Sequence, residues 1–302
     1  MSADLQPEAA PAVGVVLPVR DGAATIAIAI ESIRRQTYAD WELYVLDDGS
    51  TDATVAIARS FGDPRIRVLV DGRKRGLAAR LNQGIELARG RYLARMDADD
   101  VAYPERLARQ VGFLDAHADV DLLGTRVLLY GATGEPLAPF PFRATHAEIC
   151  RRPWNGFYLP HPTWMGRIEW FKRFRYRVPE VIWAEDQDML LRAYDSSSFA
   201  CLPEILLGYR VGPVKLSKLL GVRINLAGAE FSVNMRAGRP GHALLGAAVF
   251  MAKALIDAAR FLAGGSAAWR YRKVSLPEAE TARWRELWRE LDAANSSRTP
   301  LE

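Results

Sequence analysis

The fold is decided by VGVVLPVRDGAATIAIAIESIRRQTYADWELYVLDDGSTDATVAIARSF (residues 13–61), in which apolar runs alternate with helical patterns. The apolar runs VGVVLPV and WELYVLDD are short and rich in β-branched or aromatic residues, so they predict buried strands. Between them, Ile26, Ile30 and Ile33 are spaced to share one face of a helix. A second helix is predicted after the N-cap residues Ser50-Thr51-Asp52. This stretch therefore predicts a β-α-β-α unit.

The same alternation continues as far as residue 131. RIRVLV (65–70), RYLARMDAD (91–99) and VDLLGTRVLLYG (120–131) are the later strand patterns, and LAARLNQGIELARG (77–90) and PERLARQVGFLDAHA (104–118) are the helical ones. Strands that alternate with helices require right-handed crossovers. The sequence therefore predicts an α/β fold with a mostly parallel, twisted sheet flanked by helices.

The bulk composition is that of an ordinary globular protein. The chain has 302 residues, of which 49% are hydrophobic and 25% charged. Residues 1–10 are polar and lack the pattern of a signal peptide, so we expect a disordered tail there. Cys150 and Cys201 are the two cysteines; they form no disulfide framework or Cys-based metal spacing, which fits a reducing cytoplasm.

The carboxyl-terminal part of the chain is helical in pattern and basic. We expect a catalytic domain over 11–215 and a helical extension over 216–302. Between Gly208 and Ser275 there are eleven Lys and Arg residues against two acidic ones, although the whole chain carries a net charge of only +4. Such a segment suits an anionic surface, phospholipid or nucleic acid, or is an ordinary solvated face.

One segment of this extension raises the question of a membrane. Residues 243–263 are apolar but are interrupted by Lys253, Asp257 and Arg260. Three charges in the middle of a spanning helix are costly, so an amphipathic helix is favoured, either packed on the protein or lying in a membrane interface. Nucleic-acid binding ranks last, because the aromatic residues of 278–294 are spaced for helix packing.

Three carboxylate clusters indicate where the chemistry lies. Asp47-Asp48 and Asp97-Ala98-Asp99-Asp100 each follow a predicted strand, and Glu185-Asp186 opens a predicted helix. Ligands of open α/β sheets bind at the carboxyl ends of the strands. The clusters therefore suggest a site for a cation, a phosphate-bearing ligand and a catalytic base.

Six motifs carry a resemblance to a known family. They occur in order across about residues 13–217: VVLPVRDG, DDGSTDAT, GLAARLNQGIELARGRYLARMDADD, HPTWM, AEDQDMLLR and LLGYRVGPVKLS. Together they resemble the family 2 glycosyltransferases. That resemblance implies the GT-A fold and inverting transfer from a nucleotide-diphosphate sugar, typically UDP-linked.

The resemblance implies a role for each donor-side residue. Asp48 matches the aspartate that binds the nucleobase, and Pro18 and Val19 would line the same pocket. Asp97 matches the contact to the ribose or to the water shell of the metal. Asp99 matches the ligand of Mg²⁺ or Mn²⁺, ions that prefer hard oxygen ligands. In addition, Arg75 is placed to meet base or phosphate, with Lys74 as its rival and a surface cation as the alternative.

Asp186 matches the general base, with Glu185 and Asp188 as alternatives. His161 either positions sugar or acceptor or bonds its own loop. Trp164 and its aromatic neighbours either stack on a sugar or pack in the core. Arg210 and Lys215 are candidates for a closing loop, because Gly212 stands where relatives carry a histidine.

The sequence thus favours a cytoplasmic, metal-dependent glycosyltransferase that is peripheral on the inner face of the membrane. Its acceptor would be a glycan or lipid-linked molecule of surface polysaccharide biosynthesis. A nucleotidyltransferase is the first alternative, but VVLPVRDGAAT lacks the glycine-rich loop of that class. A non-catalytic binding module is the second, although it would be expected to lose Asp99 or Asp186.

Overall fold

The computed structural model describes residues 10–178, 184–212, 215–263 and 275–297. The predicted tail, residues 1–10, lies outside these ranges except for its last residue. Pro213 and Val214 of the predicted closing loop also lie outside them.

The first half of the chain forms four parallel strands. They are β1 (Val13–Val19), β2 (Trp41–Asp47), β3 (Ile66–Leu69) and β4 (Tyr92–Arg95), in the order β3-β2-β1-β4. The helices α1 (Ile26–Arg34), α2 (Thr54–Arg59) and α3 (Leu77–Leu87) connect them. Val13 pairs in register with both Trp41 and Tyr92. The carboxyl ends of β1, β2 and β4 therefore meet at one edge of the sheet, as predicted.

The second half of the sheet is more mixed than the sequence predicts. It contains β5 (Val101–Ala102), β6 (Leu122–Tyr130), β7 (Pro136–Pro139), β8 (Met165–Arg167) and β9 (Phe199–Arg210). β8 lies between β4 and β6 and is antiparallel to both, so β6 does not extend the parallel set directly. A three-residue strand is too short to show periodicity, so its bounds and pairing were not predicted.

Short helices cover the sheet beside these strands. They are α4 (Arg106–Ala116), α5 (His146–Ile149), α6 (Ile168–Arg173) and α7 (Glu185–Ala193), with 3₁₀ turns at Pro153–Asn155 and His161–Thr163. Two apolar layers result, one on each face of the sheet. Val15 and Leu17 point into one layer and Val16 into the other, as the alternation of a strand requires.

The carboxyl-terminal helices are α8 (Leu216–Arg236), α9 (Pro240–Leu262) and α10 (Glu278–Ser296). α8 and α9 form an antiparallel hairpin, because Arg223 bonds Asp257 at 3.0 Å while a side chain at Gly246 would meet Glu230. By length and composition alone, α9 could cross a membrane, and it is the one such helix in the ranges described. α10 instead returns to the sheet and buries Trp284 in the first apolar layer.

Candidate active site

A cavity of about 510 Å³ opens at the carboxyl ends of the strands. α3 contributes Leu77, β4 and the loop after it contribute Arg95 and Asp97, and α7 contributes Glu185 and Asp186. The cavity is also lined by His161, Gln187, Tyr209 and Lys218. Two of the three predicted carboxylate clusters therefore share one cavity, although Asp97 and Asp186 are far apart in the sequence.

Arg95 is the buried cation of this cavity. Its Nη1 donates to Asp97 Oδ2 at 2.8 Å and its Nη2 lies 2.5 Å from Asp97 Oδ1. Arg106 Nη2 donates to the Arg95 carbonyl at 2.7 Å, which fixes the main chain below it. Arg95 is not among the site residues predicted from the sequence. The available signal was a charged residue inside an otherwise apolar strand, two positions before an aspartate.

Asp99 lies on the other side of the same loop. It lines a second cavity of about 240 Å³ together with Asp100, Tyr130 and Arg210. Burial, and then the negative charge of Asp97, raise the pKa of Asp99. The Tyr130 hydroxyl donates to the Asp99 carbonyl at 2.6 Å, and the Arg210 amide donates to Asp100 Oδ1 at 2.9 Å. Asp97 and Asp99, predicted to act together, thus line two different cavities.

The carboxylates of the second cavity suit a divalent cation. Burial, Asp97 and Asp99 raise the pKa of Asp100 well above its usual range. Within the described chain, Asp100 Oδ2 is buried without a hydrogen-bond partner, and no group of three His, Cys, Asp or Glu residues could enclose a metal. Mg²⁺ commonly binds through one or two carboxylates plus substrate phosphates and water. Asp99 and Asp100 therefore fit an ion shared with a phosphate ligand.

Asp48 is held by the chain segment that leads into α3. Its Oδ1 accepts from the amides of Arg75 (2.7 Å) and Gly76 (3.1 Å) and from Arg80 Nε (3.0 Å). The Arg75 side chain points elsewhere, is about half exposed, and pairs with Asp71 at 2.6 Å. The main chain of Arg75, rather than its guanidinium, therefore contacts the predicted base-binding aspartate.

Arg80 organises this segment, although its sequence position does not predict a role in the site. Its side chain is 1% exposed, and it bonds Asp71 at 2.7 Å as well as Asp48. An arginine in an amphipathic helix is usually a surface residue, so the helical pattern did not predict that Arg80 is buried. Pro18 and Val19 lie buried at the end of β1, where the Val19 carbonyl accepts from the Asp48 amide at 2.8 Å.

Glu185 and Asp186 occupy the first turn of α7, where the helix dipole favours carboxylates. Burial, and then the charge of Asp186, raise the pKa of Glu185 to about 7. Burial also raises the pKa of Asp186, whose Oδ2 accepts from Gln187 Nε2 at 3.2 Å. Asp188 is 1% exposed and is paired with Arg177 and Arg192. Of the three candidate bases, the structure brings Glu185 and Asp186 to the cavity.

His161 links the wall of the cavity to its carboxylates. Its Nε2 is hydrogen-bonded to the Tyr176 hydroxyl at 2.6 Å, and its Nδ1 lies 3.7 Å from Glu185 Oε1. Burial, and then the charge of Arg95, lower the pKa of His161 well below its usual value, so the imidazole is neutral. Trp164 is fully buried, and its indole N–H donates to the Leu159 carbonyl at 3.1 Å. Its environment is that of a core residue.

The start of α8 borders the first cavity. Lys215 is exposed at the N-cap of this helix, whereas Lys218, one turn later, lines the cavity with Tyr209. Arg210 points to the other side and its positive charge lies beside Asp99. A side chain at Gly212 would meet open space. The candidates predicted from the sequence for this loop were Arg210 and Lys215 and did not include Lys218.

Comparison with known proteins decides the family. The sequence model described as glycosyl transferase family 2 matches residues 14–175, more than half of the chain. The chain belongs to glycosyl transferase family 2. The matched region contains Asp48, Asp97 and Asp99, while Asp186 lies beyond it.

Individual relatives are glycosyltransferases by name. The putative glycosyltransferase EpsE of Bacillus subtilis is 38% identical over 197 residues, which are 61% of this chain and 67% of that protein. WfgD of Escherichia coli, a UDP-Glc:alpha-D-GlcNAc-diphosphoundecaprenol beta-1,3-glucosyltransferase, is 35% identical over 102 residues, or 34% of this chain and 40% of its own.

A solved structure confirms the predicted fold. The mannosyltransferase PcManGT from Pyrobaculum calidifontis, in complex with GDP-Man and Mn²⁺, superposes with a TM-score of 0.60 over 98% of this chain and 90% of its own. At 20% identity this likeness shows the fold alone. The match nevertheless extends over nearly the whole of this family 2 chain.

Proposed function

We propose that this family 2 glycosyltransferase is an inverting enzyme that transfers a sugar from a nucleotide-diphosphate donor, UDP-linked, to a glycan or lipid-linked acceptor in surface polysaccharide biosynthesis. The observation that carries the proposal is the shared cavity of the Arg95–Asp97 pair and the Glu185–Asp186 pair. A donor-side cluster and a candidate base facing one space are what transfer between two bound substrates requires.

Asp186 is the proposed base. As the acceptor hydroxyl oxygen forms its bond to the anomeric carbon, its proton passes to the Asp186 carboxylate. The bond from the anomeric carbon to the nucleoside diphosphate breaks on the opposite face, which inverts the configuration. Burial raises the pKa of Asp186, and a carboxylate with a raised pKa accepts a proton more readily. Glu185, whose pKa is about 7, is the neighbour that would compete for that proton.

The leaving diphosphate needs positive charge close to it. A Mg²⁺ or Mn²⁺ ion held by Asp99, with Asp100 beside it, would supply neutralisation of the phosphates when bound. Lys218 brings a cationic side chain to the cavity from α8. Asp97, which pairs with Arg95, is the proposed contact to the ribose, and Asp48, which Arg80 holds, is the proposed contact to the base.

Two observations support the proposed substrates and pathway. The name of WfgD records a UDP-sugar donor and a lipid diphosphate acceptor. A second relative, 36% identical over 143 residues and matched over 40% of its length, is the succinoglycan biosynthesis protein ExoO of Rhizobium meliloti. Family membership also favours glycosyl transfer over the nucleotidyltransferase alternative.

The α8–α9 hairpin supports a cytoplasmic enzyme that is peripheral at the inner face of the membrane. Its α9 face exposes Leu244 (64%), Leu255 (71%) and Leu262 (82%). Basic residues on the same hairpin, among them Arg236 and Arg260, are exposed as well. Apolar side chains beside cations are typical of helices that lie on anionic lipid.

The function is tested by binding and turnover of candidate donors. Calorimetry with UDP-Glc, UDP-GlcNAc and GDP-Man, with and without Mn²⁺, should identify one donor whose binding depends on the metal. Asp186→Asn should keep that binding and lose donor turnover by about 10²–10⁴-fold, the usual contribution of a general base. Asp99→Asn should lose the dependence on Mn²⁺.

Asp119→Asn is the matched control, because Asp119 is exposed in the loop before β6. It should bind and turn over the donor like the unchanged protein. Failure of every nucleotide sugar to bind would contradict the proposed function. Full turnover by Asp186→Asn would remove that residue as the base.

A further inference from the structure

We propose that a third cavity, under the α8–α9 hairpin, binds the phosphate or diphosphate group of an amphiphilic, lipid-linked acceptor. This inference rests on the proposed function and places the acceptor of the same reaction. The cavity measures about 550 Å³ and lies between the hairpin and the Pro153–Asn155 turn. We call it the hairpin cavity.

The hairpin cavity adjoins the catalytic cavity on the side of the proposed base. Phe140, Phe157 and Gln187 line both spaces. Gln187 also donates to Asp186 at 3.2 Å, so a wall of the hairpin cavity directly contacts the proposed base. An inverting transfer needs its acceptor on the face opposite the leaving group. A molecule held in the hairpin cavity therefore approaches from the side of Asp186.

Cations dominate the charge of the hairpin cavity. Arg223, Lys253 and Arg260 line it, against the single carboxylate of Asp257. Asp257 bonds Arg223 Nε at 3.0 Å, and Lys253 Nζ donates to the Asn155 carbonyl at 2.9 Å, so these side chains are held in place. An excess of ordered positive charge at a cavity wall favours a phosphate over a neutral sugar.

One part of the wall is apolar and leads outward. It includes Leu226, Phe250 and Ile256, and Ile256 is 49% exposed at the rim. Beyond the rim, Leu255 and Leu262 are two helical turns apart on one exposed stripe of α9. A charged head group in the cavity would thus continue into a hydrocarbon chain along α9. That combination of phosphate and long hydrocarbon identifies the acceptor as a lipid phosphate.

The donor's own diphosphate is the competing occupant, and the geometry disfavours it. The lining of the hairpin cavity, in the part of the chain that the structure describes, contains none of the donor-side residues Asp97, Asp99 and Asp48. In addition, a nucleotide sugar carries no hydrocarbon tail that could contact the exposed leucines of α9.

The test measures binding of dodecyl diphosphate by calorimetry below its micelle concentration. Lys253→Gln/Arg260→Gln should weaken that binding by about tenfold or more, because two charged partners of the phosphate are removed. The matched control is Arg59→Gln/Arg285→Gln, which removes the same charge from exposed positions on α2 and α10, away from the hairpin. It should change the affinity by less than about twofold. Neutral dodecyl maltoside should bind weakly and equally to all three proteins.

Several outcomes would overturn the inference. Equal losses in both double variants would show non-specific attraction to positive charge. Displacement of dodecyl diphosphate by UDP would put the phosphate in the donor site. If dodecyl maltoside bound as tightly as dodecyl diphosphate, the cations would not be responsible for binding. Arg260→Gln alone, at an exposed residue, keeps the test valid should the double variant unfold, and should weaken binding by several-fold.

Donor binding in the presence of Mn²⁺ is measured on the same samples. Intact donor binding without binding of dodecyl diphosphate would contradict this inference and leave the proposed function standing. Loss of all donor binding in the unchanged protein would instead contradict the proposed function, whatever the amphiphile does.

Discussion

At the scale of single residues, two buried arginines hold the acidic side chains of the site. Arg95 and Arg80 are 2% and 1% exposed and are paired with Asp97 and with Asp48. Burying a guanidinium is costly unless carboxylates and carbonyls surround it, so each arginine fixes the side chains around it. Asp97 and Asp48 are therefore preorganised by two arginines that lie within the third motif, although that motif did not mark them as site residues.

Glu185 allows a test of the proposed base through pH. Asp186 must be ionised to accept a proton, and its raised pKa shifts the acidic limb of kcat/KM to higher pH than 3.8, its ordinary value. The charge of Asp186 helps to raise the pKa of Glu185 to about 7, so Glu185 is mostly protonated where Asp186 titrates. Glu185→Gln should therefore remain active and keep the acidic limb of Asp186, while any step in the profile near pH 7 disappears, measured by initial rates across pH 4–9.

Glu169→Gln is the control for this profile, because Glu169 is exposed on α6. Its profile should coincide with that of the unchanged protein. If Glu185→Gln abolished turnover at every pH while Asp186→Asn retained it, Glu185 would be the base instead.

Among single residues, the sequence predicted only those that stand in a recognisable motif. Asp97, Asp99 and Asp186 stand in recognisable patterns at strand or helix ends. Arg80 and Lys218 look like surface residues of amphipathic helices, and only the tertiary fold shows one buried and the other at a cavity. Trp164 is fully buried, which favours the core-packing alternative that its pattern left open beside sugar stacking.

At the scale of elements, α10 is tied to the loop that carries Asp99. Trp284 is fully buried, its Nε1 donates to the Gly134 carbonyl at 2.7 Å, and its ring lies 4.8 Å from that of Tyr130. The Tyr130 hydroxyl in turn donates to the Asp99 carbonyl. A helix near the carboxyl terminus thereby supports the predicted metal-binding loop.

Trp284→Ala tests this support. Removing a buried tryptophan should reduce the free energy of unfolding by about 3–5 kcal/mol, measured by urea denaturation. We also expect weaker Mn²⁺-dependent donor binding, since Tyr130 loses its packing partner. Arg285→Ala, the exposed neighbour on α10, should change neither quantity. Unchanged stability in Trp284→Ala would contradict the packing of α10 on the sheet.

Elements were predictable where a pattern was long enough. The spacing of Ile26, Ile30 and Ile33 predicted α1, and the apolar runs predicted β1, β2 and β6. The three residues of β8 could not be predicted, because their pairing with β4 and β6 depends on contacts distant in sequence. The packing of α10 on the sheet could not be predicted either, because helical periodicity shows which face of a helix is buried but not which surface it packs against.

At the scale of the whole molecule, charge and apolar surface are unevenly distributed. The α8–α9 hairpin presents basic and apolar side chains, whereas the carboxylate clusters lie at the sheet edge. A membrane surface in contact with the hairpin would leave the donor cavity facing the cytoplasm. The hairpin cavity would then lie between the lipid and the proposed base. This arrangement is the physical reason why we propose a peripheral enzyme that acts on a lipid-linked acceptor.

Vesicle binding tests that arrangement. Leu255→Gln/Leu262→Gln should lower co-sedimentation with phosphatidylglycerol vesicles by about tenfold or more, because two exposed leucines each contribute about 1.5–3 kcal/mol when buried in lipid. Binding of the unchanged protein should also fall with added salt and on neutral phosphatidylcholine vesicles. Leu137→Gln, at an exposed leucine of β7 away from the hairpin, is the matched control and should bind like the unchanged protein. Equal sedimentation of the double variant would show that α9 does not contact lipid.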